Sequence, residues 1–147
     1  MDIESLLRSL NAHDVRYVII GATAFPVHGY ARATLDVDIF INPTEENARR
    51  TRTALQDFGY DVTDLTVDDL LTKKILIRQY WVETDVHPFV AGVTFDQVWA
   101  GRVEGSIGKT PTQFAGLDDL IAMKQAAGRP RDLEDLRALC KLRERRK

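Results

Sequence analysis

The stretch Arg32-Ala33-Thr34-Leu35-Asp36-Val37-Asp38-Ile39-Phe40-Ile41 decides how this chain is read. From Leu35 to Ile41 it is an apolar run broken by two aspartates at positions i and i+2. A β-strand sends alternate side chains to one face, so Asp36 and Asp38 project together while Leu35, Val37 and Ile39 point the other way. The apolar flanks argue for a buried strand rather than a solvated edge, and each unpaired carboxylate there costs on the order of several kcal/mol. Two parallel carboxylates repel each other and lose hydration unless a divalent cation neutralises them. Upstream, the apolar run Val15 to Ile20 ends at Gly21-Ala22-Thr23. A turn from strand to helix exposes backbone N–H groups that favour phosphate. Arg32 and Thr34 add a positive charge and a hydroxyl. A cation site beside a phosphate-sized turn points to metal-assisted phosphoryl or nucleotidyl transfer.

A two-metal site needs a third carboxylate. In Glu83-Thr84-Asp85-Val86-His87, the residues Glu83, Asp85 and His87 share one strand face. Asp85 is central on that face and is the expected shared ligand and proton acceptor, with Glu83 in reserve. His87, before Pro88 at the strand exit, either orients a ligand or has a structural role. Further on, Leu117, Leu120 and Ile121 mark the apolar face of a helix, and the spacing puts Lys124 on it. Lysine is rarely buried without a partner, so Lys124 either snorkels to the rim or offers its ammonium to phosphate. In Gly128-Arg129-Pro130-Arg131-Asp132 one helix breaks and another starts, with Asp132 in a first turn that favours a carboxylate. Arg129 and Arg131 read as surface charges, with Arg129 within reach of Asp132.

Elsewhere the pattern predicts an amphipathic helix over 2–13, a strand over 15–20, and a short helix capped by Thr23 that leaves through Gly29. A strand over 35–41 follows, then a helix over 45–58 that ends at Gly59. Two β-rich runs lie within 73–87, a short helix over 94–100, a hairpin through Gly105 and Gly108, and closing helices over 117–127 and 130–142. Several links are too short for repeated crossovers. The expected fold class is therefore α+β, a mixed twisted sheet packed by helices rather than a doubly wound parallel one.

The 147 residues suit one domain, read here as 1–140 with a basic tail over 141–147. With 44% apolar and 29% charged residues, the composition is that of an ordinary globular protein and argues against disorder. The net charge of −2 gives no global attraction to nucleic acid. The tail carries five basic residues and one acid, reading as a solvated end or a contact for RNA or an acidic partner. No apolar run approaches the roughly 20 residues that span a membrane. The acidic, amphipathic N-terminus does not read as a signal peptide, and one cysteine, Cys140, can form no internal disulfide. A cytoplasmic location is the expectation.

Taken together, these residues resemble the nucleotidyltransferase superfamily that includes DNA polymerase beta. The similarity is greatest to its small bacterial and archaeal members, the minimal nucleotidyltransferases and the abortive-infection type of toxin–antitoxin pairs. The family pattern is a glycine turn, D-x-D on the next strand and a third acid on a later strand, matched by Gly21, by Asp36 with Asp38, and by Asp85. Arg32-Ala-Thr-Leu-Asp-Val-Asp-Ile resembles R-x-T-x-D-x-D-(I/L). The segment from Lys124 through Gly128-Arg129-Pro130-Arg131-Asp132 to Asp135-Leu136 resembles the K-x-x-x-G-R-x-K-D-x-x-D-L close. One departure is Gly21-Ala22, where the family commonly has Gly-Ser or Gly-Gly. Alanine lacks the hydroxyl that serine offers a triphosphate, leaving backbone N–H groups and Thr23.

The resemblance implies transfer of an NMP from an NTP to an acceptor hydroxyl, on a protein, a tRNA or a small molecule, with Mg²⁺ or Mn²⁺ and release of pyrophosphate. Two ions are implied: Asp36 and Asp38 would hold the one that bridges the triphosphate, and Asp85 with one or both of them a second that lowers the pKa of the acceptor hydroxyl. All three would thus be catalytic and metal-binding; Gly21, Ala22, Thr23, Arg32 and Lys124 would hold the nucleotide phosphates. A cognate toxin or antitoxin is an implied partner. The rival expectation is an inactive binding module of such a pair, motivated by Ala22 and by the short chain. A weaker one is a phosphohydrolase or nuclease using the same carboxylates.

Overall fold

The computed structural model describes residues 2–34 and 36–146. Leu35, expected to begin the second strand, and Lys147 of the basic tail lie outside the described residues. In chain order the elements are α1 (Ile3–Ala12), β1 (Tyr17–Ile20), β2 (Asp36–Ile41), α2 (Glu45–Phe58), α3 (Val67–Thr72), β3 (Ile75–Ile77), β4 (Glu83–His87), α4 (Phe95–Ala100), β5 (Val103–Ile107), β6 (Thr110–Phe114), α5 (Leu117–Ala127) and α6 (Leu133–Arg145). The strands form one six-stranded mixed sheet in the order β3-β4-β2-β1-β6-β5. Pairings β1–β2, β3–β4 and β5–β6 are antiparallel, while β2–β4 and β1–β6 are parallel. The expected α+β class and mixed sheet are what the chain adopts.

Near the middle of the sheet, all four residues of β1 are buried. Val37, Ile39 and Ile41 of β2 are fully buried on the face away from the aspartates. Leu6, Leu7 and Leu10 of α1 are fully buried, and Asp2 caps that helix by accepting the Ser5 N–H at 2.7 Å. On α2, Thr44 caps the start and Gly59, at φ 124°, takes the exit. Burial of such side chains contributes roughly 1.5–3 kcal/mol each.

The β1–β2 connection differs from the expected short α-helix. It forms two 3₁₀ turns, Gly21–Ala24 and Pro26–His28, with Gly29 leaving at φ 100° as expected. Pro26 has no N–H to reach back to Ala22 O, which instead accepts the Phe25 N–H at 3.2 Å. Thr23 is consequently no helix cap; its hydroxyl donates to Asp36 O at 3.1 Å. Helix α3 carried an unread signal: Thr66 Oγ1 accepts the Asp69 N–H while Asp69 accepts the Thr66 N–H, a capping box. Helix α6 runs through Arg145, past the expected end at 142, and Arg146 donates to His28 O at 3.2 Å.

Candidate functional site

Parallel pairing of β2 with β4 sets Asp36 beside Glu83, Asp38 beside Asp85 and Phe40 beside His87. Because paired strands alternate in phase, these six side chains share one face of the sheet. At Phe40 that face is closed by α4, whose Phe95 ring stands edge-on 5.3 Å away. At the aspartates it opens into a cavity of about 560 Å³.

Charges of both signs line the cavity. Asp36, Asp38 and Asp85 contribute from the sheet; Arg32, Lys74, Lys124, Arg129 and Arg131 line it as well, together with the acids Asp132, Glu134 and Asp135, and so do Gly21 and Ala22. The sequence-predicted site residues therefore meet around one space, except that Thr23 turns its hydroxyl to Asp36 O. Gly21 stands at φ 70°, and a Cβ there would lie 2.8 Å from Asp38 Oδ2. The turn thus presses against the carboxylate, which only glycine permits.

Asp38 Oδ1, Asp38's other oxygen, lies 2.8 Å from His87 Nε2; with the carboxylate ionised, the imidazole N–H donates. Ligand atoms of Asp38, Asp85 and His87 all lie within 4.8 Å of one another. Ligands about 2.0–2.5 Å from a divalent ion stand up to about 4–5 Å apart across it, so the donor set fits such an ion. Two carboxylates suit Mg²⁺ or Mn²⁺; the imidazole either ligates Mn²⁺ or stays outside the ion and orients Asp38. Asp36 is not in that group. It faces Arg78, whose guanidinium reaches Asp85 at 2.7 Å, Glu83 at 3.5 Å and Asp36 at 3.9 Å. Hydrogen bonding with Asp36, then burial and the Asp36 charge, hold the Glu83 carboxyl above its usual range.

Across the cavity, Lys124 does not stand free. Its ammonium contacts Asp132 Oδ1 at 2.9 Å and Asp135 Oδ2 at 3.4 Å, and lies 5.7 Å from the centre of the Phe25 ring. Arg129 grips Asp132 through Nε at 2.7 Å and Nη2 at 3.2 Å. Arg32 pairs with Asp135 through Nε at 2.9 Å and Nη2 at 3.0 Å, and Tyr30 donates its hydroxyl to the same carboxylate at 2.9 Å. Burial alone would raise the Asp132 carboxyl. The hydrogen bonds and charges of Arg129 and Lys124 outweigh it and bring it down to about 2.

Reading the sequence missed Arg78 and left His87 open. The signal for Arg78 is register: Ile77 pairs with Thr84, so the next residue stands opposite Glu83 on the carboxylate face. That signal exists only once β3 and β4 are known to be antiparallel.

Carboxylates from two parallel strands of a mixed sheet, pressed by a glycine turn beside a cavity that cations also line, define a nucleotidyltransferase-like domain. Residues 1–142 match the family described as a nucleotidyltransferase of unknown function (DUF6036), and the chain belongs to that family. No curated protein is significantly similar to it. No helix among the described residues is long and apolar enough to cross a membrane.

Proposed function

We propose that this chain transfers an NMP from an NTP to an acceptor hydroxyl on a protein, a tRNA or a small molecule, releasing pyrophosphate, in the presence of Mg²⁺ or Mn²⁺. The observation that carries this reading is the cavity itself, lined both by the carboxylates Asp38 and Asp85 and by the cations Lys124, Arg32, Arg129 and Arg131. Asp38 and Asp85 would hold the divalent ion, with Asp36 adjacent. When bound, such an ion neutralises phosphate charge and lowers the pKa of a hydroxyl. The Gly21 turn brings backbone to the face of Asp38 where the triphosphate would lie, and Ala22 leaves that contact to backbone N–H groups alone. Cations lining the cavity, Lys124, Arg32, Arg129 and Arg131, would steady the β- and γ-phosphates. Asp85 accepts the proton of the acceptor hydroxyl as its oxygen bonds to the α-phosphorus. The bond from that phosphorus to the β-phosphate oxygen breaks in line, and pyrophosphate departs. Positioning and charge stabilisation supply most of the acceleration in such a transfer.

The test is incubation with labelled NTPs, Mg²⁺ and a cell lysate, followed by identification of the labelled acceptor. Asp38→Asn is expected to lower transfer at least 1000-fold, about 4 kcal/mol of transition-state stabilisation, without altering the circular dichroism spectrum. Full activity in that variant rejects the mechanism.

A second reading is favoured by one observation: the cavity lining carries the Ala22 methyl where a hydroxyl would serve a triphosphate. On that reading the chain is an inactive module that caps its partner in a toxin–antitoxin pair. Calorimetry separates the two, since the module would bind none of the four NTPs with Mg²⁺.

A further inference from the structure

Three carboxylates from two strands converge on one guanidinium, and each of its nitrogens faces a different one. Arg78 Nη1 meets Asp85 at 2.7 Å, Nε meets Glu83 at 3.5 Å and Nη2 meets Asp36 at 3.9 Å. The same Nη1 donates to Ile77 O at 3.2 Å, which tethers the group over the sheet. The donors that could surround a metal lie one step further along the strands, at Asp38, Asp85 and His87. Asp85 is the member common to both sets, and Asp36 belongs to the Arg78 set alone. We propose that Arg78 takes the place of a second cation between Asp36, Glu83 and Asp85, so that the site holds one divalent ion rather than the two implied by the resemblance.

Like charges decide the matter. A divalent ion bridging Asp36 and Asp85 would sit against a permanently charged guanidinium that already partners both carboxylates. Arginine, unlike lysine, cannot shed its proton to make room. Its planar fork also reaches several carboxylates at once, as a metal would. Arg78 is thus a positioning residue: it holds Asp85 and Asp36 in place and neutralises the row that the single ion leaves uncovered.

The inference rests on the reading of Asp38 and Asp85 as cation ligands. The test is titration of the full chain with Mn²⁺ alone, following the electron paramagnetic resonance signal of the free ion. The wild-type chain is expected to bind one ion. Arg78→Gln and Arg78→Ala are expected to bind two, and the double variant Arg78→Gln/Asp36→Asn to return to one. Two ions in the wild-type chain overturn the inference, a result that needs no variant to fold. So does one ion in wild type and in folded Arg78 variants alike. Binding of no ion by any form removes the cation reading itself, and the inference with it.

Discussion

Gly21 does at the scale of one residue what no other amino acid can do there. Its φ of 70° is a left-handed conformation, and any Cβ would lie 2.8 Å from Asp38 Oδ2. Gly21→Ala therefore incurs about 1–2 kcal/mol of backbone strain. It must also push the Asp38 carboxylate away from its place. Thermal unfolding should register the loss of stability, and calorimetry should show Mn²⁺ bound at least tenfold more weakly. Asp36 and Asp38 were legible as a pair at this scale, because strand alternation alone sends them to one face, whereas Asp85 joins that face only through the pairing of β4 with β2. His87 and Arg78 were not. Their partners lie 49 and 7 residues away in sequence, and only the pairings of β4 with β2 and β3 bring them together.

Among the elements, α2 is held by a clip as well as by its apolar face. The Asn47 side chain accepts the Arg16 N–H at 2.7 Å and donates to Arg16 O and Asn42 O, both at 2.9 Å. It thereby ties α2 to the start of β1 and the end of β2, the two strands that carry Gly21 and the aspartates. Asn47→Ala leaves three part-buried backbone groups without that partner, at an expected loss of about 1–3 kcal/mol. Urea unfolding measures it, and a loss below 1 kcal/mol would show that water replaces the clip. Helices of ten residues or more were legible from their 3.6-residue periodicity and caps. The Gly21–His28 segment was not, since its backbone bonding depends on which carbonyls Pro26 leaves unpaired. Helix α3 is a single short stretch whose capping box, Thr66 with Asp69, was its main local mark.

Over the whole molecule, an ionic network centred on two buried carboxylates joins three regions distant in sequence. Asp132 and Asp135, at the junction into α6, receive Lys124 and Arg129 from α5 and its exit and Arg32 and Tyr30 from the β1–β2 connection. This fixes the cations that line the cavity and gives stability a defined acid limb. Asp132 releases its proton near 2 in the folded chain, against 3.8 when unperturbed. Between those values the unfolded chain binds more protons. The contribution of about 2 kcal/mol is therefore fully present above the unfolded value and is lost as pH falls through the folded one. In Asp132→Asn, unfolding measured from pH 5 to 2 should show an acid limb shallower by about that amount. An unchanged limb would mean that other carboxylates govern acid unfolding.

The sequence by itself determined the class of fold, the shared face of Asp36 and Asp38 and the glycine turn beside them. Those follow from periodicity, apolar burial and the conformational range of single residues, all of which act locally. Tertiary structure alone decided which charges are spent on one another. Lys124 and Arg32 are engaged with Asp132 and Asp135, and Arg78 covers Asp36 and Asp85, because parallel pairing of β2 with β4 and the return of α6 bring them within hydrogen-bonding or ion-pair range. Coulomb attraction at a few ångströms depends on such placement, and no spacing along the chain records it.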